Sequence, residues 1–206
     1  MGAARWSLPI FVFMNAVIIG AMDGVSFDDI FDTLNNYKKV LFVEPVPHYF
    51  NLLKLNAHRL NTEVCFENSP ISDKHENIEL AYLDINSLNN YEYFYKGCSS
   101  VIENGEPINK YLKKVDNKDL VILSCKSLTF NDLCEKWDIK EIEYLQIDCE
   151  GYDQRIVNSI DLEKYNIKKL KFETHYLDSD FISIFSNKWP NYKYELIEAD
   201  IIYYKL

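Results

Sequence analysis

Basic residues are in the minority in this chain, which has 22 lysines and arginines against 32 aspartates and glutamates over 206 residues. The net charge of -10 repels a nucleic-acid backbone unless a local basic stripe compensates for it. The densest basic stretch, residues 164–171, is interleaved with apolar residues, which is typical of a solvated helix end that runs into a strand. We therefore expect no nucleic-acid partner.

The five cysteines include no Cys-x-x-Cys pair, and their odd number argues against a closed disulfide framework. Neither a zinc knuckle nor an oxidising compartment is indicated, so we expect a cytoplasmic protein. No apolar run reaches the ~20 residues that a membrane-spanning helix needs. We therefore expect no membrane partner.

The apolar run at residues 8–19 has two interpretations. It follows Arg5 in the manner of a signal peptide, although a proline and an asparagine interrupt it. The alternative is a buried strand, which the glycine turn and the helical pattern directly after it favour. We expect a strand at residues 16–19 and treat residues 1–13 as an unassigned N-terminal extension.

Short apolar runs alternate with amphipathic stretches along the chain, which predicts an α/β fold. The predicted strands lie at residues 16–19, 40–43, 62–66, 78–83, 120–123, 144–147, 170–172, 194–197 and 201–204. Predicted helices follow Ser26 and Pro45 and cover residues 129–137, capped by Thr129, and 152–159. Strands that alternate with helices form a mostly parallel sheet, here with an antiparallel C-terminal hairpin. We expect a single domain over residues 1–206.

Residues 86–108 are polar and aromatic and contain two glycines and a proline, which predicts a long loop. Long loops in compact domains are usually functional, so we expect this segment to be a loop or lid over a ligand site. Tyr91, Tyr93 and Tyr95 within it suit stacking on the faces of sugars. Ordinary packing of an aromatic cluster is the alternative.

Gly20 and Gly24 follow the first predicted strand and permit a tight turn in which backbone N–H groups approach a ligand closely. Glu44 ends the second predicted strand, where a carboxylate can accept hydrogen bonds from ribose hydroxyls. The loop lacks the G-x-G-x-x-G motif, so an adenosine-type cofactor without phosphate groups is favoured over a dinucleotide. The alternative is that the glycines only form a turn and Glu44 only ends a strand.

Acidic residues also follow two later strands: Asp148 and Glu150 after one, and Glu173 with His175 at the end of the next. Because side chains alternate along a strand, each pair projects to one side if the extended backbone continues. We expect Asp148, Glu150 and His175 to form a catalytic group that deprotonates a hydroxyl or binds a divalent metal ion. Burial and mutual repulsion would raise at least one of the carboxyl pKa values. The alternative is that Asp148 and Glu150 only cap the following helix and tie down loops.

Six motifs follow one another from about residue 15 onward. They are G-A-M-D-G from Gly20, V-E-P-V-P from Val43, N-S-P-I-S-D from Asn68, S-L-T-F-N-D-L from Ser127, L-Q-I-D-C-E-G-Y-D from Leu145 and F-E-T-H from Phe172. In this order and spacing they resemble the FkbM family of methyltransferases. The resemblance implies the Rossmann-like class I methyltransferase fold, a seven-stranded sheet with an antiparallel seventh strand. It also implies methyl transfer from S-adenosylmethionine (SAM) to an oxygen of an acceptor, usually a sugar or another small metabolite.

The same resemblance implies a cofactor site. Gly20, Asp23 and Gly24 would lie beside the methionine part and the sugar of SAM, and Glu44 and Pro45 beside its ribose hydroxyls. Residues 68–73 would lie beside the adenine ring, with Ser69 and Ile71 as the wall against it.

One residue departs from the family pattern. Ile18 stands where the family usually has an acid that helps to hold the amino group of the cofactor. Its absence weakens the expectation of tight SAM binding, unless Asp23 supplies the charge instead. Two rival functions therefore stay open: a non-catalytic nucleotide- or ligand-binding module that keeps the fold, and a different nucleotide-dependent enzyme on the same type of fold.

Overall fold

The computed structural model describes residues 12–26 and 30–206. Its strands are β1 (Val12–Ile19), β2 (Lys39–Val43), β3 (Glu63–Glu67), β4 (Ile71–Ser72), β5 (Asn77–Leu83), β6 (Ser99–Glu103), β7 (Glu106–Pro107), β8 (Leu120–Lys126), β9 (Leu128–Thr129), β10 (Ile139–Ile147), β11 (Lys169–Glu173), β12 (Tyr192–Ile197) and β13 (Asp200–Lys205). Its α-helices are α1 (Ile30–Leu34), α2 (Pro47–Asn56), α3 (Phe130–Lys136), α4 (Asp153–Ser159) and α5 (Phe181–Lys188). Short 3-10 helices lie at Ala57–Arg59, Ile85–Asn90, Tyr93–Lys96, Leu112–Lys114 and Asn117–Asp119.

The central sheet has seven strands in the order β12-β13-β11-β10-β1-β2-β3. The five strands from β3 to β11 in this order are parallel, whereas β13 pairs antiparallel with both β11 and β12. The predicted α/β fold, with a mainly parallel sheet and an antiparallel C-terminal hairpin, is thereby confirmed.

Strand β1 is an interior strand of this sheet, between β10 and β2, and both of its faces are covered. Val17 and Ile19 pack into one apolar cluster, and Ala16 and Ile18 pack into another. Because side chains alternate across a strand, a strand buried on both faces has a continuous apolar sequence. The interpretation of residues 16–19 as a buried strand is confirmed, while residues 1–11 of the predicted extension lie outside the described residues.

A second sheet, which the alternation of strands and helices does not predict, has the order β7-β6-β5-β8 and is antiparallel. The strands predicted at residues 78–83 and 120–123 pair with each other in it. The segment 86–108, predicted as a long loop, contains β6, β7 and a 3-10 helix at Tyr93–Lys96. Its regular structure depends on pairing between β6 and the distant β5, which a local polar and aromatic composition does not reveal.

The predicted cap of α3 is confirmed: Thr129 Oγ1 accepts a hydrogen bond from the Asp132 N–H, and the Asp132 carboxylate accepts one from the Thr129 N–H at 2.7 Å. The helix predicted after Ser26 is described from Ile30 onward, since residues 27–29 are outside the described part. Helix α5 was not predicted. No helix within the described ranges is both long enough and apolar enough to span a bilayer.

Candidate active site

A cavity of about 270 Å³ lies at the carboxyl edge of the central sheet, beyond the ends of β1, β2, β10 and β11. From β1 the chain runs outward to β2 and β3 and then returns to β10 on the other side of β1. Open α/β sheets bind their ligands where the strand order reverses in this way. The geometry therefore assigns this cavity as the candidate site.

Gly20 brings two loops of the cavity into direct backbone contact. Its φ of +80° lies in the left-handed region, and its N–H donates to the Val43 carbonyl at 3.0 Å. A Cβ atom at this position would lie 1.7 Å from the Asp148 carbonyl oxygen. Only glycine permits this approach of the loop after β1 to the loop after β10.

Glu44 is buried and holds the glycine loop through its carboxylate. One oxygen accepts a hydrogen bond from the Met22 N–H and the other from the Val46 N–H, each at 2.8 Å. Burial raises the pKa of Glu44 to about 7, although these two hydrogen bonds oppose the shift. Glu44 lines the cavity, where the remaining lone pairs of its oxygens can accept further hydrogen bonds.

Gly24 also has a positive φ, +76°, but a Cβ atom there would lie 2.5 Å from the Phe31 ring, so this glycine serves the packing of the loop. Asp23 lies beside it in the cavity wall and accepts hydrogen bonds from Ser26 and Lys96. Burial opposes the ionisation of Asp23, but these hydrogen bonds outweigh burial and lower its pKa.

A smaller cavity of about 40 Å³ adjoins the first and shares Gly20 and Glu44 with it. Pro45, Ser69 and Ile71, three residues predicted for the cofactor site, line this second space. Their assignment to the adenine and ribose of a cofactor stays a prediction.

The three predicted catalytic residues, Asp148, Glu150 and His175, all line the larger cavity. The route by which they meet differs from the prediction, because β10 ends at Ile147 and the backbone of Glu150 is left-handed, with φ +52°. The premise of an extended backbone through Glu150 is therefore wrong. The turn reverses the chain, and it still directs both carboxylates to the same cavity.

Glu150 is held in an environment that disfavours its charge. Its pKa is raised to about 8, first by burial and then by repulsion from Asp148 and Glu173, although a hydrogen bond from Asn109 Nδ2 at 2.5 Å opposes the shift. The prediction that burial and repulsion perturb a carboxyl of this group agrees with this direction.

The alternative role of Asp148 and Glu150 in fixing loops is consistent with the hydrogen bond from Asn109 Nδ2 to the Glu150 carboxylate. The capping part of that alternative finds no support at the N-cap of α4, because Tyr152 makes no side-chain cap. Asp153, the first residue of α4, takes the structural role instead. Its buried carboxylate accepts hydrogen bonds from the N–H groups of Cys149 and Gly151. The role of Asp153 was not predicted, although an acidic residue at a helix start after a glycine is a usable signal.

His175 and Glu173 form a pair at the mouth of the cavity. His175 Nδ1 lies 2.5 Å from Glu173 Oε1. In the tautomer with its proton on Nδ1, His175 donates to this carboxylate and Nε2 can accept a hydrogen bond. The other oxygen of Glu173 is buried and has no hydrogen-bond partner among the described residues, which marks it as an acceptor site for a ligand.

Ile18 is buried and lines the cavity wall. Asp23, the predicted substitute, already bonds to Lys96. Within residues 12–26 and 30–206, no group of three or more His, Cys, Asp and Glu side chains has the arrangement of a metal site.

The raised pKa of Glu150 leads to a stability prediction. Below about pH 4.5 the Glu150 side chain is protonated in both the folded and the unfolded chain. Between about pH 4.5 and 8 only the unfolded chain loses this proton. The free energy of unfolding therefore falls as the pH rises through this range. We expect Glu150→Gln to unfold at a higher urea concentration than wild type at pH 8. Its free energy of unfolding should be higher by on the order of 3 kcal/mol at this pH, and the difference should disappear near pH 5. The exposed Glu79→Gln serves as the control and should match wild type at both pH values. An equal midpoint for wild type and Glu150→Gln at pH 8 would contradict the prediction.

The fold and the cavity define an α/β domain with a cavity at the carboxyl edge of its sheet, which is where open α/β sheets bind their ligands. The model of the methyltransferase FkbM domain matches residues 19–196 of the 206, so the chain belongs to the FkbM family of methyltransferases, and the predicted resemblance is confirmed. Comparisons with curated proteins and with solved structures give no match.

Proposed function

We propose that this protein is a SAM-dependent O-methyltransferase with the Rossmann-like class I fold, acting on a hydroxyl of a sugar or small metabolite. The observation that carries the proposal is a carboxylate-rich cavity closed by the glycine loop at the switch point of the sheet. The strand order, with its antiparallel strand β13 between β11 and β12, supports the class I assignment. Nucleic acids and membranes are not among the proposed partners, and the proposed location is the cytoplasm.

The electrostatics of the cavity fit a cationic cofactor. Glu44 and Glu150 both have raised pKa values, and repulsion from Asp148 contributes to each. A positive charge bound among these carboxylates would relieve that repulsion and favour their ionised forms. SAM carries a sulfonium and an ammonium group, and when bound it supplies an electrophilic methyl group.

The residues of this chain then have three tasks. Glu44 would accept hydrogen bonds from the ribose hydroxyls, with Pro45, Ser69 and Ile71 in the adjoining cavity beside the adenine ring. Asp148 and Glu150 would hold negative charge beside the sulfonium. These contacts would orient the methyl group toward the acceptor, and positioning of this kind supplies much of the rate in group transfer.

His175 is our proposed general base. Its hydrogen bond to Glu173 orients the ring in the way that a carboxylate orients the histidine of other acid–base pairs, and its exposed position makes it accessible to an acceptor. The proton of the acceptor hydroxyl would pass to Nε2 of His175. Glu173 would stabilise the resulting imidazolium.

A non-catalytic ligand-binding module is the second candidate. Ile18 at the cavity wall favours it, because the cofactor amino group would lack the acid that usually binds it, and Asp23 is engaged by Lys96. Absence of SAM binding at millimolar concentration in a calorimetric titration would favour this module over the enzyme.

We expect wild-type protein to bind SAM in that titration and Glu44→Ala to bind it roughly 10- to 100-fold more weakly. The variant loses the charged acceptor for the ribose, and a hydrogen bond to a charged group contributes about 1.5 to 3 kcal/mol. Glu63→Ala is a suitable control, since Glu63 is exposed at the start of β3 and pairs there with Lys39. Equal affinity of Glu44→Ala and wild type would remove Glu44 from the proposed site.

A further inference from the structure

Lys96 connects two parts of the cavity wall that lie 73 residues apart in the sequence. It is the last residue of the 3-10 helix Tyr93–Lys96. Its ammonium donates to Asp23 Oδ2 at 2.9 Å and to Ser26 Oγ at 2.6 Å. The side chain of Asp23 is only 5% exposed and that of Lys96 19%, so solvent screens this ion pair weakly.

Asp23 is in turn fixed to the glycine loop. Its Oδ1 accepts hydrogen bonds from the N–H groups of Ser26 at 3.0 Å and Val25 at 3.2 Å, and its Oδ2 accepts one from Ser26 Oγ at 2.5 Å. We refer to Asp23, Ser26 and Lys96 as the Lys96 network. Both carboxylate oxygens of Asp23 are engaged within it.

The segment that the Lys96 network holds forms another part of the cavity wall. Phe94 precedes Lys96 and Gly97, Cys98 and Ser99 follow it, and these four residues line the cavity. The segment also has apolar attachments, since Phe94 and Tyr95 contact the ring of Tyr111 and Cys98 is buried in an apolar cluster. These contacts hold it to residues 111–112, whereas the Lys96 network is the polar attachment of residues 93–99 to the glycine loop.

We propose that Lys96 is a positioning residue that holds the wall formed by residues 94–99 on the glycine loop and so fixes the acceptor side of the cavity relative to the cofactor side. The inference rests on the proposed function for the identity of the two sides. It also gives Asp23 a different role from the one predicted from the sequence. Its carboxylate binds Lys96 and so helps to hold residues 94–99, and it does not replace the acid missing at Ile18.

Removal of one member of a buried ion pair leaves the other charge uncompensated, which is strongly unfavourable. We expect local opening of the segment, because movement of residues 93–99 away from the glycine loop gives the Asp23 carboxylate more contact with water. Such opening is measurable by amide hydrogen exchange without knowledge of the acceptor.

The test compares hydrogen exchange in wild type, Lys96→Met, Lys96→Arg and the control Lys113→Met. Lys113 belongs to the 3-10 helix Leu112–Lys114 and forms an exposed ion pair with Glu106 at 3.3 Å. We expect amides of residues 94–99 to exchange at least ~10-fold faster in Lys96→Met and less than about 2-fold faster in Lys113→Met. Lys96→Arg should restore most of the protection, since arginine keeps the charge and the donors.

The functional readout uses S-adenosylhomocysteine, the stable product of the cofactor, as the probe. In wild type we expect this probe to slow exchange in residues 94–99. Lys96→Met should bind the probe with an affinity within about 3-fold of wild type. It should show no slowing of exchange, because residues 94–99 are no longer attached to the glycine loop. If Lys96→Met does not fold, Asp23→Asn removes the same ion pair from the other side and should show the same faster exchange of residues 94–99 in the absence of the probe.

Unchanged exchange of residues 94–99 in Lys96→Met, or retained slowing by the probe, would overturn the positioning role. If wild type fails to bind the probe, the proposed function is wrong. The exchange of the free variants would still decide whether Lys96 holds the wall.

Discussion

Methyl transfer by His175→Gln is expected to fall by roughly 100-fold or more, while its affinity for SAM stays within about 3-fold of wild type. General-base catalysis typically contributes ~10²- to 10⁴-fold, and glutamine cannot accept the proton of an acceptor hydroxyl. Gly20 and Glu44, the proposed cofactor residues, lie on other loops and are not changed in this variant. The rate is measured as formation of S-adenosylhomocysteine in the presence of an accepting sugar.

A variant of Glu173, the partner of His175, and a control variant of His58 extend this test. Glu173→Gln should lower the rate by about 10-fold, because its amide orients the ring but stabilises the imidazolium poorly. His58→Gln should match wild type, since His58 lies in the 3-10 helix Ala57–Arg59 and does not line the cavity. EDTA is expected to leave the rate unchanged. Loss of activity in EDTA with recovery in magnesium would instead favour a metal-dependent reaction, and full activity of His175→Gln would exclude His175 as the base.

Gly20→Ala is expected to cost at least 3 to 5 kcal/mol of unfolding free energy, or to prevent folding. An alanine Cβ would lie 1.7 Å from the Asp148 carbonyl oxygen and 2.7 Å from the carbonyl carbon, so two backbone segments would have to separate. The left-handed conformation adds roughly 1 to 2 kcal/mol. Urea denaturation followed by circular dichroism measures the loss.

Gly105→Ala separates the two contributions. Gly105 has a similar φ of +84°, but a Cβ atom there would meet nothing within 4 Å. We expect this variant to lose only the ~1 to 2 kcal/mol of the backbone conformation. If Gly20→Ala costs no more than Gly105→Ala, the close approach of the two loops is not a requirement of the fold.

The strands of the central sheet were predictable because burial on both faces leaves continuous apolar runs in the sequence. The runs at residues 16–19 and 40–43 are examples, and both correspond to strands in the structure. The second sheet was not predictable in the same way. Its strand β6 includes two serines and a glutamate, and it exists through pairing with β5.

Some residues of the candidate site could likewise be predicted from the sequence, and others could not. The glycines, Glu44 and the acidic residues at strand ends stand out locally, because glycine turns and carboxylates after apolar runs are visible in the sequence. Lys96 and Asn109 do not stand out, since their roles depend on partners 73 and 41 residues away. An isolated lysine or asparagine in a polar segment has no local feature that distinguishes it from a solvated residue.

The sequence by itself determined the α/β class, the carboxyl-edge location of the candidate site and the family, because apolar periodicity and short motifs are local properties of the chain. Only the tertiary structure decided how the site is held together. No local pattern predicts the left-handed turn at Glu150. The same is true of two contacts between distant segments, that of Gly20 with Asp148 and the ion pair of Asp23 with Lys96. The energies that fix them, steric exclusion and the desolvation of buried charge, arise only when distant parts of the chain are packed together.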